Sequence, residues 1–250
     1  MAEAIDVRSV TFEYDLGRRH VLAVKDVSFA VKASEFLCIV GPSGCGKTTI
    51  LNMLAGFLRP TSGEIRIGER QLDANRRDHG VVFQDFAQLF PWRTARRNVE
   101  FGLESRGVPK KVRAEKALEY LRLVGLEEFA NVFPHQLSGG MQQRVAIARS
   151  LAYDPGVLLM DEPFAALDAM TREEMQQLLA GIWERTKKTV VYITHNVAEA
   201  VYLGDKILVL AARPGTVKAE LACDLPRPRD PLSDRFVAAQ RKVLQHLAAH

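Results

Sequence analysis

Phe36-Leu37-Cys38-Ile39-Val40-Gly41-Pro42-Ser43-Gly44-Cys45-Gly46-Lys47-Thr48 decides the fold of this 250-residue chain. Five consecutive apolar residues read as a strand buried on both faces, because a half-exposed strand would alternate. The run stops at Gly41-Pro42-Ser43-Gly44, and a helix is predicted from Lys47 to Ala55, ended by Gly56. Gly41 to Thr48 fits the spacing G-x-x-x-x-G-K-[ST] in the strand–loop–helix context that the motif requires. Glycines let backbone N–H groups curl around phosphate oxygens with no Cβ in the way, and the helix amino end adds a favourable dipole. The loop residues Gly41, Pro42, Ser43, Gly44, Cys45, Gly46, Lys47, Thr48 and Thr49 are therefore the candidate nucleotide contacts. Lys47 is expected at the β and γ phosphates, and the Thr48 hydroxyl on Mg²⁺. Cys45 has two readings: a thiol made reactive by the helix amino end, or a small filler residue.

Two more runs, Val157-Leu158-Leu159-Met160 and Thr189-Val190-Val191-Tyr192-Ile193, read as parallel core strands ending at the same carboxyl edge of a sheet, where ligands gather. Asp161 and Glu162 follow the first of them directly. Asp161, continuing the strand, is placed to hold the Mg²⁺ shell, while Glu162, one residue further out, can orient and deprotonate an attacking water.

Upstream, Ile5 to Tyr14 and Val21 to Val31 mix β-branched and aromatic residues with partial alternation, predicting antiparallel strands exposed on one face. From about Gln88 to Tyr153 the pattern turns helical, with segments Lys111 to Val124 and Met141 to Ala152, and reads as a lobe inserted into the sheet domain. Lys206 to Leu210 and Thr216 to Leu221 predict a hairpin around Arg213-Pro214-Gly215. Pro226-Arg227-Pro228-Arg229-Asp230-Pro231 reads as a linker, and the residues from there to His250 as a helix with no visible chemistry.

The bulk numbers narrow the function classes. A hydrophobic content of 47% supports a large core. The net charge of +4 comes from Lys and Arg scattered among Asp and Glu, which does not favour a nucleic-acid partner. No stretch of about eighteen apolar residues predicts a membrane span, and Met1-Ala2-Glu3-Ala4-Ile5-Asp6 lacks the features of a secretion signal, so a cytosolic setting is expected. Three cysteines without metal-ligand spacing suggest neither a disulfide framework nor a zinc site.

Leu137-Ser138-Gly139-Gly140-Met141-Gln142 resembles the signature of the ATP-binding cassette (ABC) family. Taken alone, Ser138 is an ordinary helix N-cap. The resemblance implies more. Ser138, Gly139 and Gly140 would meet the γ-phosphate held by another subunit's phosphate loop, so two chains must pair as a twofold homodimer around two ATP molecules. It further implies that Tyr14, followed by extra residues around Arg18-Arg19-His20, stacks on adenine; packing as a core tyrosine is the other reading. Gln84 would sense the γ-phosphate and its Mg²⁺, Asp168 would cross the dimer interface, and His195 would contact the γ-phosphate. Asn196 departs from the Asp often found beside that histidine. Softer patterns, Gln88-Leu89-Phe90-Pro91-Trp92-Arg93-Thr94, Glu162 to Arg172 and Arg213-Pro214-Gly215, resemble the nitrate, sulfonate and taurine importer branch.

The resemblance implies an α/β fold: a P-loop NTPase (RecA-like) parallel-sheet core with an antiparallel β subdomain and an inserted α-helical subdomain. The cassette is expected over residues 4–235, its helical subdomain over about 88–155, and a tail over 236–250. Its implied partners are integral-membrane permease subunits and a periplasmic or extracellular solute-binding protein, with the cassette peripheral on the cytoplasmic face. Phe90-Pro91-Trp92 would receive the permease, or else pack between lobes. A soluble ABC ATPase acting on nucleic acid or ribosomes is the rival reading, but it would bring tandem cassettes, a coiled coil or basic insertions, and none is visible.

Overall fold

The computed structural model describes residues 1–17, 19–72, 79–84 and 88–248; Arg18 and the last two residues of the expected tail lie outside them. Strand β3 (Phe36–Val40) is buried at every position and lies in a six-stranded sheet of order β10-β9-β3-β8-β7-β6. Its neighbours β8 (Thr189–Thr194) and β9 (Lys206–Leu210) run parallel to it, as do β6 (His79–Val82) and β7 (Val157–Asp161) beyond β8. β10 (Val217–Ala222) closes one edge antiparallel to β9, completing the expected hairpin.

Side chains alternate across a strand, so the apolar runs feed two cores. Phe36, Cys38 and Val40 join Leu158, Met160, Val190 and Tyr192 on one face; Leu37 and Ile39 join Val157, Leu159, Val191 and Ile193 on the other. The second face packs on helix α1 (Lys47–Leu54) and on a four-stranded sheet. That sheet has the order β2-β1-β4-β5, with β1 (Ile5–Asp15) antiparallel to both β2 (His20–Val31) and β4 (Ser62–Ile67), and a short β5 (Arg70–Gln71).

The inserted lobe contains α2 (Ala95–Ser105), α3 (Lys110–Leu123) and α4 (Gly139–Ala152). Thr94 caps α2 by accepting from Arg97 N at 3.3 Å. Buried Asn98 accepts from Phe90 N at 2.8 Å and donates to Phe90 O and Arg93 O at 3.1 and 3.0 Å, which holds the preceding loop in shape. Beyond the lobe, α5 (Ala169–Thr186) and α6 (Val197–Leu203) cover the first face of the sheet.

The proline-rich stretch is not a free linker, and a helix follows it. Arg229 is 6% exposed, with its guanidinium donating to the carbonyls of Val201, Tyr202, Gly204, Cys223 and Leu225. Arg227 stacks on Trp183, 4.3 Å from the ring centroid, and pairs with Asp205. Helix α7 (Asp234–Ala248) starts before the expected boundary and buries Phe236 and Val243 in the main core. A buried guanidinium needs partners for its donors, and the carbonyls ending α6 supply them.

Candidate functional site

The phosphate loop joins β3 to α1, and its conformation requires its glycines. Gly44 and Gly46 have φ of +75° and +87°, and a Cβ on Gly46 would lie 2.9 Å from Ala23 O. Lys47 is almost fully buried and donates to Gly41 O at 2.9 Å and Pro42 O at 3.1 Å, so its ammonium lies folded over the loop. Cys45 takes the filler role. It is 0% exposed, burial pushes its thiol up despite nearby Lys47, and a Cβ on Gly41 would come within 2.6 Å of its Sγ.

At the end of β7, Asp161 accepts from the Thr48 hydroxyl at 3.4 Å. Burial pushes its carboxyl up, and the Thr48 hydrogen bond pulls the other way. Glu162 leaves the strand with φ +42°, a left-handed conformation uncommon for a residue with a Cβ, and its N–H donates to Ile193 O at 3.0 Å. That turn carries its carboxylate to His195, whose Nδ1 is 2.7 Å from Glu162 Oε2. Ser43, Gly44, Gly46, Lys47, Thr48, Thr49, Glu162 and His195 share one cleft of about 660 Å³ with Tyr14, whose hydroxyl is 3.2 Å from Thr49 Oγ1. Tyr14 is half-buried, edge-on to Phe12 at 4.8 Å between centroids.

The other expected site residues lie elsewhere in the chain. Val82 pairs with Met160, so Gln84 leaves β6 at the sheet edge where Asp161 and Glu162 leave β7, and it is exposed there. Ser138 accepts from Met141 N at 3.3 Å and caps α4, which starts at Gly139 rather than at Met141. Ser138 and Gly140 line a separate hollow with Arg144, Thr171 and Glu174 that shares no residue with the cleft. Asp168 caps α5, accepting from Thr171 N at 3.0 Å and Thr171 Oγ1 at 2.7 Å. A Cβ on Gly140 would sit 2.7 Å from Thr171 Cγ2, so only glycine lets these two helix starts approach. Asn196 caps α6 by accepting from Ala198 N and Glu199 N at 2.9 and 3.3 Å, which an aspartate would do equally well.

Several positioning residues escaped the sequence reading. Glu199, buried, accepts from Thr194 Oγ1 at 2.6 Å and Tyr192 OH at 3.2 Å, and lies 3.8 Å from Arg172, whose Nη2 donates to Leu167 O at 2.7 Å. Thr194 Oγ1 in turn accepts from Asn196 N at 2.9 Å. These bonds tie the loop before Asp168 to the strand end that carries His195. On the other side of the sheet edge, Gln88 and Gln143 donate to Phe83 O at 2.9 and 3.4 Å, and Arg149 donates to Gln88 O at 2.7 Å. The backbone beside Gln84 is thereby joined to α4. A buried glutamine such as Gln143 within a helix pattern was the one available signal.

A strand–glycine loop–helix thus shares its sheet edge with an acid pair at the end of β7, one strand beyond β8, while a capped Ser-Gly-Gly helix lies apart from them. A family model described as ABC transporter matches residues 24–165. This chain belongs to the ABC transporter family. It is an ATP-binding cassette with the fold of an ABC-type ATPase. A taurine import ATP-binding protein of Rhizobium johnstonii is 49% identical over 89% of this chain and 84% of its own length. A nitrate import ATP-binding protein of Synechocystis is 46% identical over 90% and 84%. An uncharacterised ABC transporter ATP-binding protein of Methanocaldococcus jannaschii is 48% identical over 99% and 92%. Among solved structures, a dimeric bacterial ABC transporter cassette superposes with a TM-score of 0.78 at 39% identity, over 89% of this chain and all of that one. In a post-hydrolysis state with ADP and Pi, that cassette gives a TM-score of 0.76 at 37% identity, again over 89% of this chain and all of that one.

Proposed function

We propose that the chain is the ATP-hydrolysing subunit of an importer for a small solute such as nitrate, taurine or a sulfonate, working as a head-to-tail homodimer. The observation that carries the dimer is the separation of half-sites. Lys47, Glu162 and His195 share the cleft, whereas Ser138 and Gly140 open a different hollow of the same chain. One chain therefore supplies the loop and its twin the capped helix end, whose N–H groups and dipole suit an anionic γ-phosphate.

In the closed pair, Lys47 leaves Gly41 O and Pro42 O for the phosphate oxygens, Tyr14 offers its ring to the adenine, and Ser138, Gly139 and Gly140 of the twin grip the γ-phosphate. Asp168, capping α5 beside Gly140, lies at the interface. Glu162 accepts a proton from the water that attacks the γ-phosphate, with ADP as the leaving group, and His195, hydrogen-bonded to Glu162, holds the carboxylate in place and reaches the γ-phosphate. Thr48, Asp161 and Gln84 are the residues that would hold Mg²⁺. An oxygen-donor set of one hydroxyl, one carboxylate and one amide, completed by phosphates and water, suits that ion, and bound there it would neutralise charge on the phosphates.

Among the described residues no helix is long and apolar enough to cross a membrane. Membrane attachment would come through permease subunits seated on the cassette at the membrane's cytoplasmic face, served by a solute-binding protein outside. Trp92 is 71% exposed and lies tilted against Phe90 at 5.6 Å between ring centroids, beside Phe101 and a hollow of about 610 Å³ between the sheet and the inserted lobe, a fitting seat for a permease helix. Sedimentation velocity of the Glu162→Gln chain tests the pairing. It is expected to sediment as a monomer alone and as a dimer with MgATP, and a monomer under both conditions would remove the proposal.

A further inference from the structure

The hairpin between β9 and β10 reaches back to the phosphate loop. Gly215 N donates to Ala23 O and Lys25 N to Gly215 O, both at 2.9 Å, so the hairpin is bonded to β2. A Cβ on Gly215 would lie 2.1 Å from Cys45 O, which only glycine avoids. Wedged there, the turn fixes Arg213 at φ +43°, an uncommon conformation for a non-glycine residue. The Arg213 guanidinium lies across the middle of the loop: a Cβ on Gly44 would be 3.7 Å from its Nη2 and 3.8 Å from its Nε.

Arg213 has no hydrogen-bond or ion-pair partner among the described residues, unlike buried or half-buried arginines such as Arg93, Arg113 and Arg227. It lines the cleft together with Lys47 and Arg19, and among the described residues the one carboxylate lining it is Glu162. An unpaired guanidinium anchored by a strained turn beside a phosphate cradle is a donor set without its acceptor. We infer that Arg213 is a further nucleotide-binding residue, whose guanidinium contacts the phosphate chain from the side of the loop opposite the catalytic edge. This inference rests on reading the cleft as the ATP site.

Glycine-rich loops hold the α and β phosphates, while the loop lysine extends to β and γ. Gly44 sits mid-loop, so the charge of Arg213 acts on phosphates that diphosphate and triphosphate share. It should strengthen both ligands alike and leave their ratio unchanged.

Calorimetric titration of the full chain with MgADP and with the Mg²⁺ complex of the non-hydrolysable β,γ-imido analogue of ATP tests this. Arg213→Asn, which removes the charge but tolerates a left-handed backbone, is expected to weaken both ligands by the same factor, about five- to tenfold. Arg213→Lys is expected to recover part of the loss, because it keeps the charge without the planar fork. An Arg213→Asn chain that melts like the unaltered one and binds both ligands within twofold of it would overturn the inference alone. So would a loss confined to the triphosphate analogue. Failure of the unaltered chain to bind either ligand would instead overturn the reading of the cleft, and this inference with it.

Discussion

Replacing Glu162 by glutamine is expected to slow ATP hydrolysis by about a hundred- to ten-thousandfold, the usual contribution of a positioned general base, with ATP affinity kept within about twofold. The amide keeps the shape of the carboxylate and can still hydrogen-bond His195, so the 2.7 Å contact and the left-handed turn at residue 162 survive. What it loses is the basicity of the carboxylate that takes the water's proton. Steady-state phosphate release, measured beside nucleotide binding, separates the two effects. Turnover near that of the unaltered chain would remove Glu162 from the chemistry.

Lys47→Ala should fail at the earlier step. Lys47 is the buried cation of the loop, held by Gly41 O and Pro42 O until a phosphate replaces them. Truncating one partner of a buried charged contact costs about 2–5 kcal/mol, so nucleotide affinity should fall by at least about thirtyfold. Titration with a fluorescent ATP analogue reads this directly. Unchanged affinity would mean that the phosphates lie elsewhere. Glu162→Gln and Lys47→Ala thus differ in kind: one binds without turning over, the other barely binds.

The elements that were plain in the amino-acid order are those whose burial leaves an unmistakable pattern. β3, β7 and β8 are covered on both faces, so each is an unbroken apolar run. Helix α2 was not read because two of its buried positions, Asn98 and Glu100, are polar and break the apolar stripe. Asn98 is buried to bond the loop carrying Phe90, and Glu100 is buried against Arg96 and Arg113. β6 was missed as an element because its pairing among the described residues spans His79–Val82, too short for a period to show. The proline-rich stretch misled because composition says nothing of the carbonyls that Arg229 finds at the end of α6.

The site divides in the same way. The loop, Asp161 and Glu162 could be located from strand ends and spacing, since the chemistry needs them adjacent to one sheet edge. The contact between Glu162 and His195, separated by 33 residues, arises from the parallel pairing of β7 with β8. Glu199 and Arg213 are placed by contacts between distant segments, and no local pattern marks them. Arg213 was visible only as part of a turn, because what matters is the chain it leans on.

A mixing experiment probes the shared site most directly. Take one chain carrying Lys47→Ala and another carrying Ser138→Arg, each inactive as a homodimer. In a mixed pair, the intact loop of the second chain meets the intact Ser138 helix of the first and completes one site. ATP hydrolysis should therefore return on mixing, toward about half the rate of the unaltered dimer in those mixed pairs, as one of two equivalent sites is restored. If the mixture hydrolyses no faster than the two inactive chains measured apart, the loop and the Ser138 helix do not meet across two molecules.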